Sequence, residues 1–228
     1  MSCVLSIIIP VLNDAVALER LCTALTPVKN AQWEIIVVDG GSIDDSVSVA
    51  ASFAHQVISA TPGRARQMQA GADVASGDVL WFVHADSGLP LNLLSEILLH
   101  AQQHRWGRCD VTLDGAHPMF RIIEWFMNHR ARFTGICTGD QGIFVRRDVL
   151  LNIGGFADIP LMEDIDLSER LKKIAAPFVP QPRIIASSRR WNEHGIARTI
   201  FLMWYIRLRF FLGATPESLH SVYYRKSH

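Results

Sequence analysis

The feature that most restricts the fold is a set of short apolar runs in which polar residues do not alternate. Residues 4–10 end on Pro10, 34–39 (EIIVVD) end on Asp39, and 78–83 (DVLWFV) lead into His84-Ala85-Asp86. A strand wetted on one face alternates apolar with polar side chains, whereas a strand covered on both faces reads as a continuous β-branched run. Between these runs, 15–25 places Val16, Leu18, Leu21, Cys22 and Leu25 at roughly helical spacing before Thr26-Pro27, and 63–75 starts after Pro62 and stops at Ser76-Gly77. Helices are also expected over 44–54 and 90–104, with a weaker strand over 56–59. Buried strands separated by helices of this length predict an α/β fold, an open and mostly parallel sheet flanked by helices.

The rhythm weakens after Cys109. A strand over 109–113, an aromatic-rich helix over 119–133, a strand over 141–146, a helix over 163–173 that opens with acids and a strand over 184–187 are expected there. No linker, low-complexity tract or repeat divides the 228 residues, so a single domain is expected over 1–195, with halves 1–106 and 107–195, followed by an apolar helix and tail over 196–228. With 22 basic and 22 acidic side chains, the composition excludes disorder and a strongly basic nucleic-acid surface, so any affinity for phosphates must be local. Cys3, Cys22, Cys109 and Cys137 show no paired spacing, which argues for buried thiols over a zinc knuckle or a disulfide framework. No basic segment precedes the first apolar run, so a cytoplasmic protein is expected.

Ligands of open α/β sheets bind beyond the carboxyl ends of the strands, which gives Asp39 and Asp86 a functional reading that surface acids lack. In Asp39-Gly40-Gly41-Ser42 the carboxylate can accept hydrogen bonds from a base or ribose, or it can cap its own turn. Mg²⁺ and Mn²⁺ bind through one or two carboxylates plus substrate phosphates, so a lone strand-end acid such as Asp86 suffices to anchor a metal–diphosphate pair. His84 shares a face with Asp86 while the backbone stays extended, and it is either a weak second ligand or a hydrogen-bond partner of phosphate or Asp86. Arg64 and Arg66, near a helix start, suit a diphosphate or are solvated surface groups. Glu163, Asp164 and Asp166 either supply a general base or complement the macrodipole of their helix, at about 0.3–1 kcal/mol each.

The order of Ser6-Ile-Ile-Ile-Pro10, Val37-Val38-Asp39-Gly-Gly-Ser42, Ala75-Ser-Gly-Asp78 and Phe82-Val-His84-Ala-Asp86 resembles the nucleotide-binding half of family 2 glycosyltransferases. Gly154-Gly-Phe156 followed by Glu163-Asp164 and Asp166-Leu-Ser-Glu-Arg-Leu171 resembles that family's second-half signature. The resemblance implies a GT-A fold, a nucleotide-diphosphate sugar donor and a divalent cation, Mn²⁺ or Mg²⁺. It implies nucleotide contacts from Pro10 and Asp39, metal binding by Asp86 at the second acid of an Asp-x-Asp motif, and Asp164 as the base of an inverting transfer. Asp140, Gln141 and Glu163 are implied as sugar, acceptor or phosphate contacts, unless Asp140 and Gln141 instead hold the entry to a strand. Arg190 is implied on the diphosphate and Trp191 on a sugar face, from the end of a Gln-x-x-Arg-Trp element, and the same residues read equally as a surface arginine pair beside a packing tryptophan. Four positions depart from the pattern. His84 replaces the first acid, Gly40 the second acid of the Asp-Asp-Gly-Ser turn, Met68 an arginine and Ser187 a glutamine.

The apolar segment 196–212 is too short to cross a bilayer, and Arg198, Arg207 and Arg209 leave it without one polar face. It is expected to pack on the domain or a second subunit, or to dock at the inner face of a membrane that carries a lipid-linked acceptor. Two other functions compete with sugar transfer. A nucleotide-sugar-binding regulator without turnover would explain His84 in place of an acid, and a nucleotidyltransferase would also place acids near phosphates but gives no reason for Glu163-Asp164.

Overall fold

The computed structural model describes residues 4–25 and 32–224, so the expectations for Cys3 and Thr26-Pro27 fall outside the described residues. Four parallel strands build the first half: β1 (Leu5–Val11), β2 (Trp33–Asp39), β3 (Gln56–Ser59) and β4 (Val79–Phe82). They lie side by side in the order β3-β2-β1-β4. Because β2 and β4 flank β1 on opposite sides, the chain order reverses between β1 and β4, and that reversal opens the crevice in which α/β sheets place ligands.

The continuous apolar runs have the expected cause, since both faces of the sheet are covered. Ile7 and Ile9 point to a cluster with Leu18, Leu21 and Cys22 of α1 (Ala15–Leu25), Ala50 of α2 (Ser46–Phe53) and Leu93, Leu94 and Ile97 of α4 (Leu91–His100). Ile8 points the other way, to Met68 and Ala72 of α3 (Arg64–Val74). That second contact depends on Gly71, where an added Cβ would stand 2.4 Å from Cγ2 of Ile8.

The second half is less regular. β5 (Trp106–Gly107) and β7 (Phe144–Arg146) extend the sheet to β3-β2-β1-β4-β7-β5, with β7 antiparallel to both β4 and β5. The strand expected over 141–146 is shorter than its pattern, because Gly139–Gln141 forms a 3-10 turn. β6 (Val111–Leu113) and β8 (Ile184–Ala186) leave the main sheet and pair with each other, in parallel. α5 (Pro118–Thr134) packs beneath them through Phe120 and Ile123, α6 (Arg147–Asn152) follows β7 directly, and α7 (Glu163–Leu171) carries the acidic turn.

The expectation that 196–212 is one helix holds for α9 (Ile196–Phe211), which follows the short α8 (Arg189–His194) and precedes α10 (Pro216–Tyr223). Ile206 of α9 and Leu219 of α10 share a buried cluster with Met162 and Ile165 at the start of α7. The C-terminal helices therefore support the segment that presents Glu163 and Asp164.

Candidate active site

On the β1–β2 side, Asp39 ends its strand with 4% exposure and accepts hydrogen bonds from the amides of Gly41 (2.9 Å) and Ser42 (3.1 Å). It holds its own glycine turn, and a nucleoside would share its remaining lone pairs. Pro10 lies half-buried one residue before the end of β1. Gln67 was not anticipated: its Nε2 donates to the carbonyls of Val11 (2.9 Å) and Val38 (2.8 Å), tying the ends of β1 and β2 together. The only trace of this in the sequence is a polar residue on a helix face that also carries Met68 and Ala72.

Asp86 borders a cleft of about 550 Å³ that is also lined by Arg20, Ser87, Asp114, Ser188 and Arg189. Nη2 of Arg189 lies 3.6 Å from its carboxylate. The same guanidinium forms a two-pronged pair with Asp14 at 2.9 and 2.6 Å, and those hydrogen bonds hold its pKa above the ordinary arginine value. Of the Arg189-Arg190-Trp191 run, Arg189 is the residue that reaches Asp86. Arg190 turns away from Asp86 and stacks 3.7 Å over the ring of Tyr223, donating to that residue's carbonyl. Trp191 packs half-buried against the main core, which does not support the expected sugar contact.

Among the described residues no group of three His, Cys, Asp or Glu could enclose a metal. A solvent-reached carboxylate in an open cleft nevertheless fits a hard cation that takes its other ligands from phosphate and water. His84 does not add to that set. Its Nδ1 lies 3.3 Å from Asp140, and its Nε2 faces Gly139 so closely that a Cβ there would stand 2.5 Å away. The structure thus shows His84 paired with Asp140 and packed against Gly139 of the 139–140 turn.

That turn leads to the acids of α7. Asp164 accepts from the amide of Gly139 through one oxygen (2.7 Å) and from that of Ile165 through the other (2.7 Å). Met162 immediately before the helix adopts the left-handed conformation (φ 72°), a strain on the order of 1–3 kcal/mol for a non-glycine residue. Its burial with Ile206 and Leu219 holds it there. Glu163 is 5% exposed, and burial first, then the charge of Asp164, pushes its pKa up to about 7 against the opposing pull of Arg64 and His84.

Arg64, the first residue of α3, faces this acidic group. The desolvation that would lower its pKa is outweighed by Glu163, Tyr224, Tyr223 and Asp140, leaving it firmly charged. Asp140 is held below the ordinary carboxylate range: desolvation would raise it, but the His84 hydrogen bond and the charges of His84, Arg64 and Arg207 prevail. Arg64 and Asp140 are both exposed to solvent.

Two further arginines were not foreseen. Arg130 of α5 is lowered to about 10 by burial and then by the charge of Arg207, while Asp164 opposes the fall. Arg207 of α9 is lowered by burial and faces Asp164 and Asp140. Nε and Nη2 of Arg130 are buried and find no hydrogen-bond acceptor among the described residues. Single arginines on two sequence-distant helices carry no local signature, and only the fold brings them together.

The structure therefore gathers Arg64, His84, Asp140, Glu163 and Asp164. It does not bring in two other expected residues. Arg66 pairs with Asp158 at 2.6 Å on the exposed surface. Gln141 is fully buried, where its side chain accepts from the Thr138 amide and donates to the Cys109 carbonyl, so it braces the turn and is not a contact for sugar or acceptor.

Comparison with known proteins agrees with this geometry. A "PGL/p-HBAD biosynthesis glycosyltransferase" of Mycobacterium bovis is 27% identical over 216 residues, covering 83% of this chain and 77% of the relative. A "beta-monoglucosyldiacylglycerol synthase" of Nostoc is 22% identical over 191 residues, covering 73% of this chain and 40% of the relative. Among solved structures, a mannosyltransferase of Pyrobaculum calidifontis in complex with GDP-Man and Mn²⁺ superposes with a TM-score of 0.60 at 20% identity, over 80% of this chain and 56% of that one. The chain spans 64% of the length of a further Mycobacterium tuberculosis relative, so several of its relatives are substantially longer. The model of the family "Glycosyl transferase family 2" matches residues 6–151, well over half of the chain. With a GT-A fold and acids at the expected strand and helix ends, the chain belongs to glycosyl transferase family 2.

Proposed function

We propose that the protein moves a sugar from a nucleotide-diphosphate donor to an acceptor hydroxyl, with inversion at the anomeric carbon and Asp164 as the base. One observation carries the reading. His84, two residues from Asp86, touches the Gly139–Asp140 turn, and Asp164 holds the Gly139 amide, so the donor-side loop and the acidic helix are joined through a single hinge of contacts.

Each residue then has a task. Asp164 has lone pairs beyond those given to two amides, and it takes the proton of the acceptor hydroxyl as that oxygen bonds to the anomeric carbon. The bond from the anomeric carbon to the diphosphate oxygen breaks, and the nucleotide diphosphate departs with the electron pair. Arg189 beside Asp86 and Arg64 at the head of α3 meet the charge that develops on it. A divalent cation held by Asp86, Mn²⁺ or Mg²⁺, would supply further neutralisation of that diphosphate. Glu163, with a pKa near neutrality, is present partly as the acid and can donate a hydrogen bond to a sugar hydroxyl.

The acceptor is proposed to be lipid-linked and to carry an anionic group near its hydroxyl. The unpartnered nitrogens of Arg130 beside Arg207 and Asp164 support the anionic group, and the lipid product named for the Nostoc relative supports the lipid. Single-turnover transfer from a panel of nucleotide sugars, with lipid extract or water as acceptor, tests the proposal. Asp164→Asn is expected to lower the rate about 10²–10⁴-fold while leaving nucleotide affinity in place. Unchanged transfer in that variant would remove Asp164 from the role.

A further inference from the structure

Two helices of the acceptor half expose apolar side chains in register. On α9, Phe201, Trp204, Tyr205, Leu208 and Phe211 are all exposed, and Leu212 just beyond the helix continues their line. Spacings of three and four residues place them along one stripe. On α5, Ile122, Trp125, Phe126 and Phe133 repeat the pattern, with Phe133 94% exposed. Folding normally buries such stripes, and a contiguous exposed patch of aromatics marks an interaction surface.

The stripes border one seam. Phe126 and Phe133 lie one turn before and after Arg130, and Trp204 and Phe211 one turn before and after Arg207. Met127 of α5 and Ile196 and Ile200 of α9 pack against one core cluster, and Ile206, next to Arg207, packs with Met162 and Ile165 on either side of the Glu163-Asp164 pair, so the seam leads toward Asp164, on which the charges of Arg130 and Arg207 act. Charge selects the occupant. α9 carries Arg198, Arg207 and Arg209 and no acid. α5 exposes Arg121 and Arg132, whose acidic partners Glu124 and Asp110 are themselves buried, and Glu124 also accepts from the Leu113 amide. Tryptophan and tyrosine mixed with arginine is the composition that settles at the headgroup level of a bilayer. No described helix is long and apolar enough to cross a membrane.

We propose that α5 and α9 together form a docking face for an anionic lipid bilayer, with the seam between them opening onto Asp164. The inference rests on the lipid-acceptor reading and deepens it, because it names the surface that presents the acceptor.

Flotation of the full chain with vesicles of phosphatidylcholine alone, and with phosphatidylglycerol added, tests it. Binding is expected with the anionic vesicles, falling as salt rises. The pairs Trp204→Ala with Phe211→Ala and Trp125→Ala with Phe126→Ala should each weaken it at least about tenfold. The replaced side chains face solvent, so the variants should keep the wild-type Tm and circular dichroism. They should also keep the thermal shift given by a nucleotide diphosphate with Mn²⁺, which reports the donor site independently of lipid. No flotation, equal binding to neutral vesicles, or binding indifferent to both pairs would overturn the proposal. So would a dimer in solution that the same substitutions dissociate, since a second copy would then be the occupant.

Discussion

The two ends of the site differ in how their charges are settled. At the donor end, Asp86 and Asp14 share Arg189 at the mouth of an open cleft, and Asp39 is satisfied by its own turn. At the acceptor end, Glu163 and Asp164 are adjacent, Arg130 and Arg207 repel each other, and two nitrogens of Arg130 are unpartnered. At the proposed donor end each of these charged groups has a hydrogen-bond or ion-pair partner, whereas the proposed acceptor end retains unpartnered guanidinium nitrogens and a strained Met162. Unresolved charge and strain of this kind lower stability and prepare a site for a transition state.

The largest effect that would sharpen this contrast comes from Asp86→Ala. Stabilisation by a nucleotide diphosphate with Mn²⁺, read as a Tm shift, is expected to vanish, and a shift equal to wild type would place the metal elsewhere. Arg130→Met tests the other end. Replacing a buried, unpartnered guanidinium with an apolar chain should raise stability by about 1–3 kcal/mol in urea unfolding while transfer falls. A loss of stability would show that Arg130 has a structural partner and would break the contrast.

Glu163 makes a pH-dependent prediction. Its pKa is raised on folding from 4.5 to about 7, so between those values the folded state holds a proton that the unfolded state has released. Its contribution is therefore lost as pH rises through that window. Glu163→Gln should flatten this part of the stability profile, and denaturation midpoints measured from pH 4 to 8 would show it. An unchanged slope would mean that Glu163 is ionised throughout. The smallest effect is expected from Arg189→Gln. Its pair with Asp14 is half-exposed, so stability should change by less than about 1 kcal/mol, with the loss confined to nucleotide-diphosphate affinity.

The same contrast explains what could be read from the sequence. Ile7, Ile8 and Ile9 are buried on alternating faces and Gly71 sits where α3 meets β1, so the donor-half sheet and its strand-end acids follow from local pattern. The acceptor half buries charge instead. Arg108 is buried against Asp110, which Arg132 also pairs from the surface, and buried Glu124 accepts from the Leu113 amide and pairs with Arg121. Apolar periodicity weakens where the core holds such groups. β5, at two residues, is too short to leave a pattern, and the reversal of β7 is set by its neighbours. Glu163-Asp164 was legible because the acids are adjacent in sequence. Arg130, Arg189 and Arg207 were not, because their partners Asp164, Asp14 and Asp86 are distant in sequence and only the fold brings them near. Gln141, Arg190 and Trp191 were singled out by resemblance and Arg66 by its place near a helix start, and local partners claim all four.

The most direct test of a single displacement at Asp164 is the anomeric configuration of the sugar released when water serves as acceptor, followed by proton NMR before mutarotation. The configuration opposite to that of the donor is expected first, formed far more slowly by Asp164→Asn. Release with the donor's configuration retained would contradict the account.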